Sequence, residues 1–163
     1  MFLMPSLEEN RWITVPQMLV DEIALENRWR VPIYFTAPPY GDSPLKLRER
    51  AVSVGLAYRL ERDPVAGGVD VDKSYELFTK TFMQDGYSDS RVYRDENSTS
   101  VVVTYGYNAS NLFDELLRKN DTTRALELAE YMISKYPEYW QLPLQEAALL
   151  DQRGDSAKSE HIM

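Results

Sequence analysis

The chain has 163 residues, enough for one good core or two small subdomains, and its 44% apolar content is that of a folded chain rather than a disordered one. A net charge of −8 leaves no cationic footprint for nucleic acid or anionic lipid, which are recognised through clustered Lys and Arg. There is no cysteine and only one histidine, His161, so disulfides, thiolate metal sites, His-based metal centres and Ser-His triads are excluded.

No apolar run approaches the roughly 18 residues of a membrane span. The opening MFLMPSL lacks the basic and long apolar regions of a signal peptide. This suits a cytosolic protein or a soluble piece of something larger. Taken in order, residues 1–13 read as irregular. Thr14 offers a helix cap and Pro16 fits the first turn, where its missing N–H costs nothing. Val15, Met18, Leu19 and Ile23 recur at helical spacing, so a helix is expected over 15–27. NRWRVPIYFT (27–36) reads as a helix-to-strand corner, with Pro32 at the start of a strand over 31–36.

Residues 37–44 form a turn-rich loop, and Leu45 to Arg50 suits a single helical turn. Val52, Val54, Leu56, Tyr58 and Leu60 alternate with small or polar residues, the pattern of one continuous strand. Two strands are too few for a stable sheet. A third is expected from 1–13, from 91–95 or from a partner chain. Val71, Tyr75, Phe78 and Phe82 predict an amphipathic helix over 71–83. A helix is expected from about 98 to Lys119, although the valines at 101–103 also suit a strand.

Thr122 to Lys135 is a strong helical segment, with Leu126, Ala129, Met132 and Ile133 expected inward and Pro137 ending it. A further helix is expected over 141–153, stopped by Gly154. Ala125, Ala129 and Pro137 resemble the second helix of a tetratricopeptide unit, where small residues let helices approach closely. Leu112 and Leu116 suit its first helix, while Phe113 departs from the small residue usual there. Trp140 would open a partial second unit. A generic helical hairpin is the plainer alternative. About three such units are needed for a free solenoid, so this hairpin must pack on other chain.

The chemistry-bearing groups all have structural readings. Asp70-Val71-Asp72 has the form of an acidic metal pair, but it stands before a helix, where carboxylates cap free N–H groups. Asp95-Glu96-Asn97, with Asp85 and Asp89 nearby, reads as a solvated loop and helix cap rather than an acid/base pair. Gly67-Gly68 reads as a tight turn, without the companions of a phosphate loop. Arg28, Trp29 and Tyr34, together with Trp140, are the candidate interaction surface. Trp29 and Tyr34 are nevertheless expected to pack on the strands under arginine stems. No catalytic, cofactor or metal residue is assigned.

NRWRVPIYFT, GLAYRL (55–60), GGVD (67–70) and VYRDEN (92–97), followed by the helical hairpin, occur in one order over about residues 15–152. This order resembles the carboxy-terminal soluble region of the protein O-mannosyltransferase-like family of multi-spanning membrane proteins, with a GT-C type membrane domain. The resemblance implies an extracytoplasmic accessory domain without a catalytic residue of its own. Its partner would be the protein's own membrane domain or an acceptor protein, and it would need no cofactor, bind no nucleic acid and insert in no membrane. A free-standing tetratricopeptide-like interaction module is the alternative, cytoplasmic in that case. The expected fold is α+β and mostly helical, with a small α/β subdomain over 1–96 and the helical hairpin over 97–163.

Overall fold

The computed structural model describes residues 3–5, 12–39, 44–65, 68–83, 89, 91–135, 145 and 148. It is an α+β structure, mostly helical, and it separates into two compact units, Met1–Asp70 and Val71–Met163. The division falls after Asp70, ahead of the expected one at 96/97. The reason is that the segment after Asp70 makes its bonds to the later helices, as described below.

In the first unit, β1 (Leu3–Pro5) pairs antiparallel with β2 (Trp12–Thr14), Met4 standing opposite Ile13. Residues 1–13 were expected to be irregular. Strands of three residues are too short for alternation to register in a sequence. Helix α1 (Val15–Asn27) has the expected bounds. Thr14 and Gln17 form a reciprocal capping box: Gln17 N donates to Thr14 Oγ1 at 3.4 Å, and Thr14 N donates to Gln17 Oε1 at 2.7 Å. At its far end Arg28 (φ 47°) and Trp29 (φ 58°) are both left-handed. Arg28 N donates to Leu25 O, Arg30 N to Asn27 O, and Asn27 Nδ2 to Val31 O at 2.8 Å. These bonds hold the corner that leads into β3 (Tyr34–Phe35), a strand shorter than the expected 31–36.

A 3-10 turn (Leu47–Arg50) then leads to β4 (Ala51–Val54) and β5 (Ala57–Leu60). The sheet order is β3-β5-β4, antiparallel throughout. The segment expected to be one long strand is therefore a hairpin, and its second arm supplies the third strand. Gly55 (φ 62°) opens the two-residue turn, and Leu56 has negative φ, the sign pattern of a type II′ hairpin turn. Val52 pairs with Arg59, and Ala51 with Leu60. Cross-strand partners share a face, so Val52 and Val54 lie on one side of the sheet while Tyr58 and Leu60 lie on the other. Val52, Val54 and Leu60 are all buried, which means that both faces are covered. Gly68 to Asp70 returns beside β4: Ser53 N donates to Gly68 O at 3.0 Å and Asp70 N to Ser53 O at 2.9 Å.

Under this sheet lies a core of Ala24, Leu47 and Leu60, with Val20, Ile33, Phe35 and Leu45 packed against it. Helix α1 therefore contributes its Gln17, Val20, Asp21, Ala24 row. The row that marked the helix in the sequence faces out, with Leu19 at 59% and Ile23 at 62% exposure. Both rows have helical spacing. The small Ala24 permits close approach to the short strands, and the larger side chains are left outside.

In the second unit, α2 (Val71–Glu76) runs into a π-helical turn (Leu77–Thr81), where Phe82 N donates to Leu77 O. Phe78, fully buried, meets Phe82 and Tyr105 edge-on at centroid distances of 5.4 and 6.2 Å. Helix α3 (Glu96–Arg118) starts at the cap Asp95, whose Oδ1 accepts from Ser98 N at 2.7 Å. It ends in a Schellman motif around Asn120 (φ 61°), with Asp121 N donating to Leu116 O and Asn120 N to Leu117 O.

Helix α4 (Thr122–Lys135) has the expected bounds. Its buried residues are Ala125, Leu128, Ala129 and Met132, while Leu126 and Ile133 are only partly covered. Opposite them lie Ala109, Leu112, Phe113 and Leu116 of α3. Pro137, Trp140 and most of the expected helix over 141–153 lie outside the described residues. Gln145 and Ala148 are helical. Gln145 accepts from Ser110 Oγ at 2.6 Å and donates to Asp114 Oδ1 at 3.0 Å.

Candidate interaction surface

The outward side of α1 is an exposed apolar surface of the first unit. At 100° per residue, its exposed side chains fall in two apolar rows, Met18 with Leu25, and Val15 with Leu19 and Ile23. Glu22 and Glu26, one helical turn apart, run between the rows. Both are exposed, and neither forms a hydrogen bond or ion pair among the described residues. With Val20 and Ala24 on the covered side, the helix carries apolar residues on both its covered and its exposed side. Such a helix is normally covered on both sides in the working protein.

The corner after α1 extends this surface. Arg28 is exposed, Trp29 is 41% exposed and Tyr34 54% exposed. The expected packing of the two rings on the strands leaves a large part of each exposed. The left-handed turn at Arg28 and Trp29 precedes β3, and Tyr34 stands on a two-residue strand at the sheet edge. Trp140, the fourth candidate, lies outside the described residues.

Two concavities lie in the same unit. One, of about 270 Å³, is bounded by Val20 and Asp21 of α1, by Phe35, by Pro38-Pro39 and by Leu47. It is mainly apolar, with the nearly buried Asp21 in its wall. The other, a shallow hollow of about 420 Å³, lies over Val52, Arg59, Glu61 and Asp70. Arg59 Nε donates to Glu61 Oε1 at 2.7 Å, and Nη2 to Asp70 Oδ2 at 3.3 Å. The bond to Glu61 holds the Arg59 guanidinium above its usual pKa.

In the second unit Arg124 gathers the acidic groups. Its Nη1 donates to Asp72 Oδ1 and its Nε to Asp121 Oδ2, both at 2.6 Å. These two bonds raise its pKa, the Asp72 bond contributing most. The guanidinium also lies 5.6 Å from the Tyr75 ring centre. Tyr75 Oη donates to Glu127 Oε2 at 2.6 Å. Burial, with that bond to a carboxylate second, pushes the Tyr75 phenol up to about 12. Helices α2 and α4 are joined through these pairs.

The acidic pair at 70 and 72 is thus divided between Arg59 and Arg124. Asp95 serves as a cap, and its bonds to Ser98 hold its carboxyl below the usual range. Asp89 binds Arg91 at 2.8 Å. Among the described residues no three His, Asp or Glu side chains gather in a metal-holding group, and no helix is long and apolar enough to cross a membrane. Gly67 lies outside the described residues, and Gly68 serves the return beside β4.

No family model, curated protein or solved structure matches the chain. The signal in the sequence is that α1 carries large apolar residues on the side away from Val20 and Ala24, interrupted there by Glu22 and Glu26.

Proposed function

We propose that this chain is a non-catalytic accessory domain of a membrane glycosyltransferase-like protein, working on the extracytoplasmic face. It binds protein, either its own membrane domain or an acceptor, and holds it in place for chemistry performed elsewhere. The observation that carries the reading is the outward apolar face of α1, continued by Trp29 and Tyr34. The commitment of Asp70, Asp72, Asp95 and Asp121 to arginines and caps gives these carboxylates structural work, in keeping with a binding role. The ordered motifs of the chain supply the glycosyltransferase association.

A photo-crosslinking residue at Leu19, introduced in the cells that make the protein, tests this. The expected adduct is with a multi-spanning membrane protein or with a protein exported across the membrane. Adducts confined to cytosolic proteins refute it.

A second reading, a free-standing tetratricopeptide-like interaction module, is favoured by Ala125 and Ala129, both fully buried between α3 and α4. Helix α3 alone has 23 residues, long against a helix pair of about 34. The upstream reading frame separates the two: a series of apolar spans there favours the first reading, and a stop codon the second.

A further inference from the structure

We propose that the outward face of α1 is the seat for a basic amphipathic helix, one that presents two Lys or Arg side chains a helical turn apart between apolar rows. The proposal rests on the protein-binding reading above and specifies the chemistry of the partner. Met18 and Leu25 on one flank, and Val15, Leu19 and Ile23 on the other, are exposed. Any partner that covers both rows also covers the strip between them, and that strip carries Glu22 and Glu26. Two carboxylates removed from water without counter-charges oppose binding strongly, whereas paired ones fix orientation and register.

The pairing must come from the partner, because neither carboxylate has a cation of its own among the described residues. This sets the pair apart from Glu61, Asp70, Asp72 and Asp121, each of which is held by an arginine. The one-turn spacing of the two glutamates matches cations at i and i+4 on a second helix, packed ridge into groove.

Charge also decides against the other occupants. A second copy of α1 packed antiparallel about its midpoint brings Glu22 against its own equivalent, and parallel packing sets both glutamates face to face. An anionic lipid surface meets the same two charges and a chain of net charge −8.

The test uses the full chain and two synthetic helical peptides, identical except that a Lys pair at i and i+4 in one is a Glu pair in the other. Both carry flanking leucine rows, and binding is read by calorimetry at low and moderate salt. The Lys peptide should bind at least about tenfold tighter than its Glu twin, and added salt should narrow the gap. In the double variant Glu22→Lys/Glu26→Lys the preference should reverse. Both sites are exposed, so the variant keeps its fold, and circular dichroism checks this. Leu19→Gln/Ile23→Gln should weaken binding of the Lys peptide by at least about tenfold.

Equal binding of the two peptides overturns the proposal, as does a preference unchanged in the charge-reversed variant or no binding up to about 1 mM, the weak end of specific affinity. A dimer in sedimentation that Ile23→Gln dissolves assigns the face to a second copy instead. Co-sedimentation with vesicles of phosphatidylcholine and phosphatidylglycerol assigns it to a lipid surface. The crosslinking result can fail while the reversal of peptide preference still holds, so the two readings stand or fall separately.

Discussion

Replacing Tyr75 with phenylalanine gives a pH-dependent test of how α2 is held to α4. At neutral pH the change removes one hydrogen bond, Tyr75 Oη to Glu127 Oε2 at 2.6 Å, and leaves the ring beside Arg124. Glu127 is exposed and rehydrates freely, so the loss should be about 0.5–1.5 kcal/mol. The alkaline arm works the other way. The folded phenol titrates at about 12, raised by burial and then by Glu127, against about 10 in the unfolded chain. Below pH 10 both states hold the proton and the full stability is present. Between 10 and 12 the unfolded chain releases it first, so stability falls as pH rises through that window. Two units correspond to about 2.7 kcal/mol at most. Solvent around the half-buried ring and the exposed Glu127 reduces this to about 1–2 kcal/mol. Tyr75→Phe has no such loss. Its deficit at pH 7 should therefore shrink above pH 10 and close or reverse near pH 12. Urea unfolding followed by circular dichroism across pH 7–12 measures this. The other ten tyrosines are common to both proteins and cancel in the comparison. A deficit that stays constant from pH 7 to 12 refutes the account of Tyr75.

Leu128→Ala, at a fully buried position of α4, should cost about 2–5 kcal/mol in chemical unfolding, whereas Leu126→Ala, partly covered, should cost clearly less. Gly55→Val should cost about 1–2 kcal/mol or more, because the turn needs φ near +62° and a β-branched side chain resists it. Equal stability would remove the hairpin turn. Thr14→Ala should cost about 1 kcal/mol through loss of the capping box at α1, read as a lowered midpoint in urea. Leu19→Gln should leave stability within about 0.5 kcal/mol. A large loss would mean that the row is buried after all.

Several boundaries were legible because their causes are local. Thr14 and Pro16 start α1, and Asn120 with Asp121 separates α3 from α4, through bonds that reach no more than five residues. Asp95 sets the start of α3, two residues ahead of the expected one. The hairpin at 51–60 was not legible. Its two-residue turn preserves the alternation of apolar residues, so the pattern reads as one strand, and only Gly55 marks the reversal. The candidate surface was legible in part. Arg28, Trp29 and Tyr34 follow from the corner, whereas Met18, Leu19 and Ile23 mark only a helix and Leu25 carries no signal of its own. Periodicity says that a helix has a face and is silent on which of two apolar faces meets the core.

The sequence by itself determined the capped start of α1, the turn at Asn120 and Asp121 between α3 and α4, and a net charge of −8. Those properties follow from capping groups, backbone freedom and summed charge, none of which needs a distant neighbour. Tertiary structure decided which side of α1 is covered, that 51–60 folds back on itself, and that Asp70 and Asp72 answer to different arginines. Each of these depends on the shape and charge of segments far away in the chain, and small Ala24 against a short sheet outweighed the larger side chains that local pattern favoured.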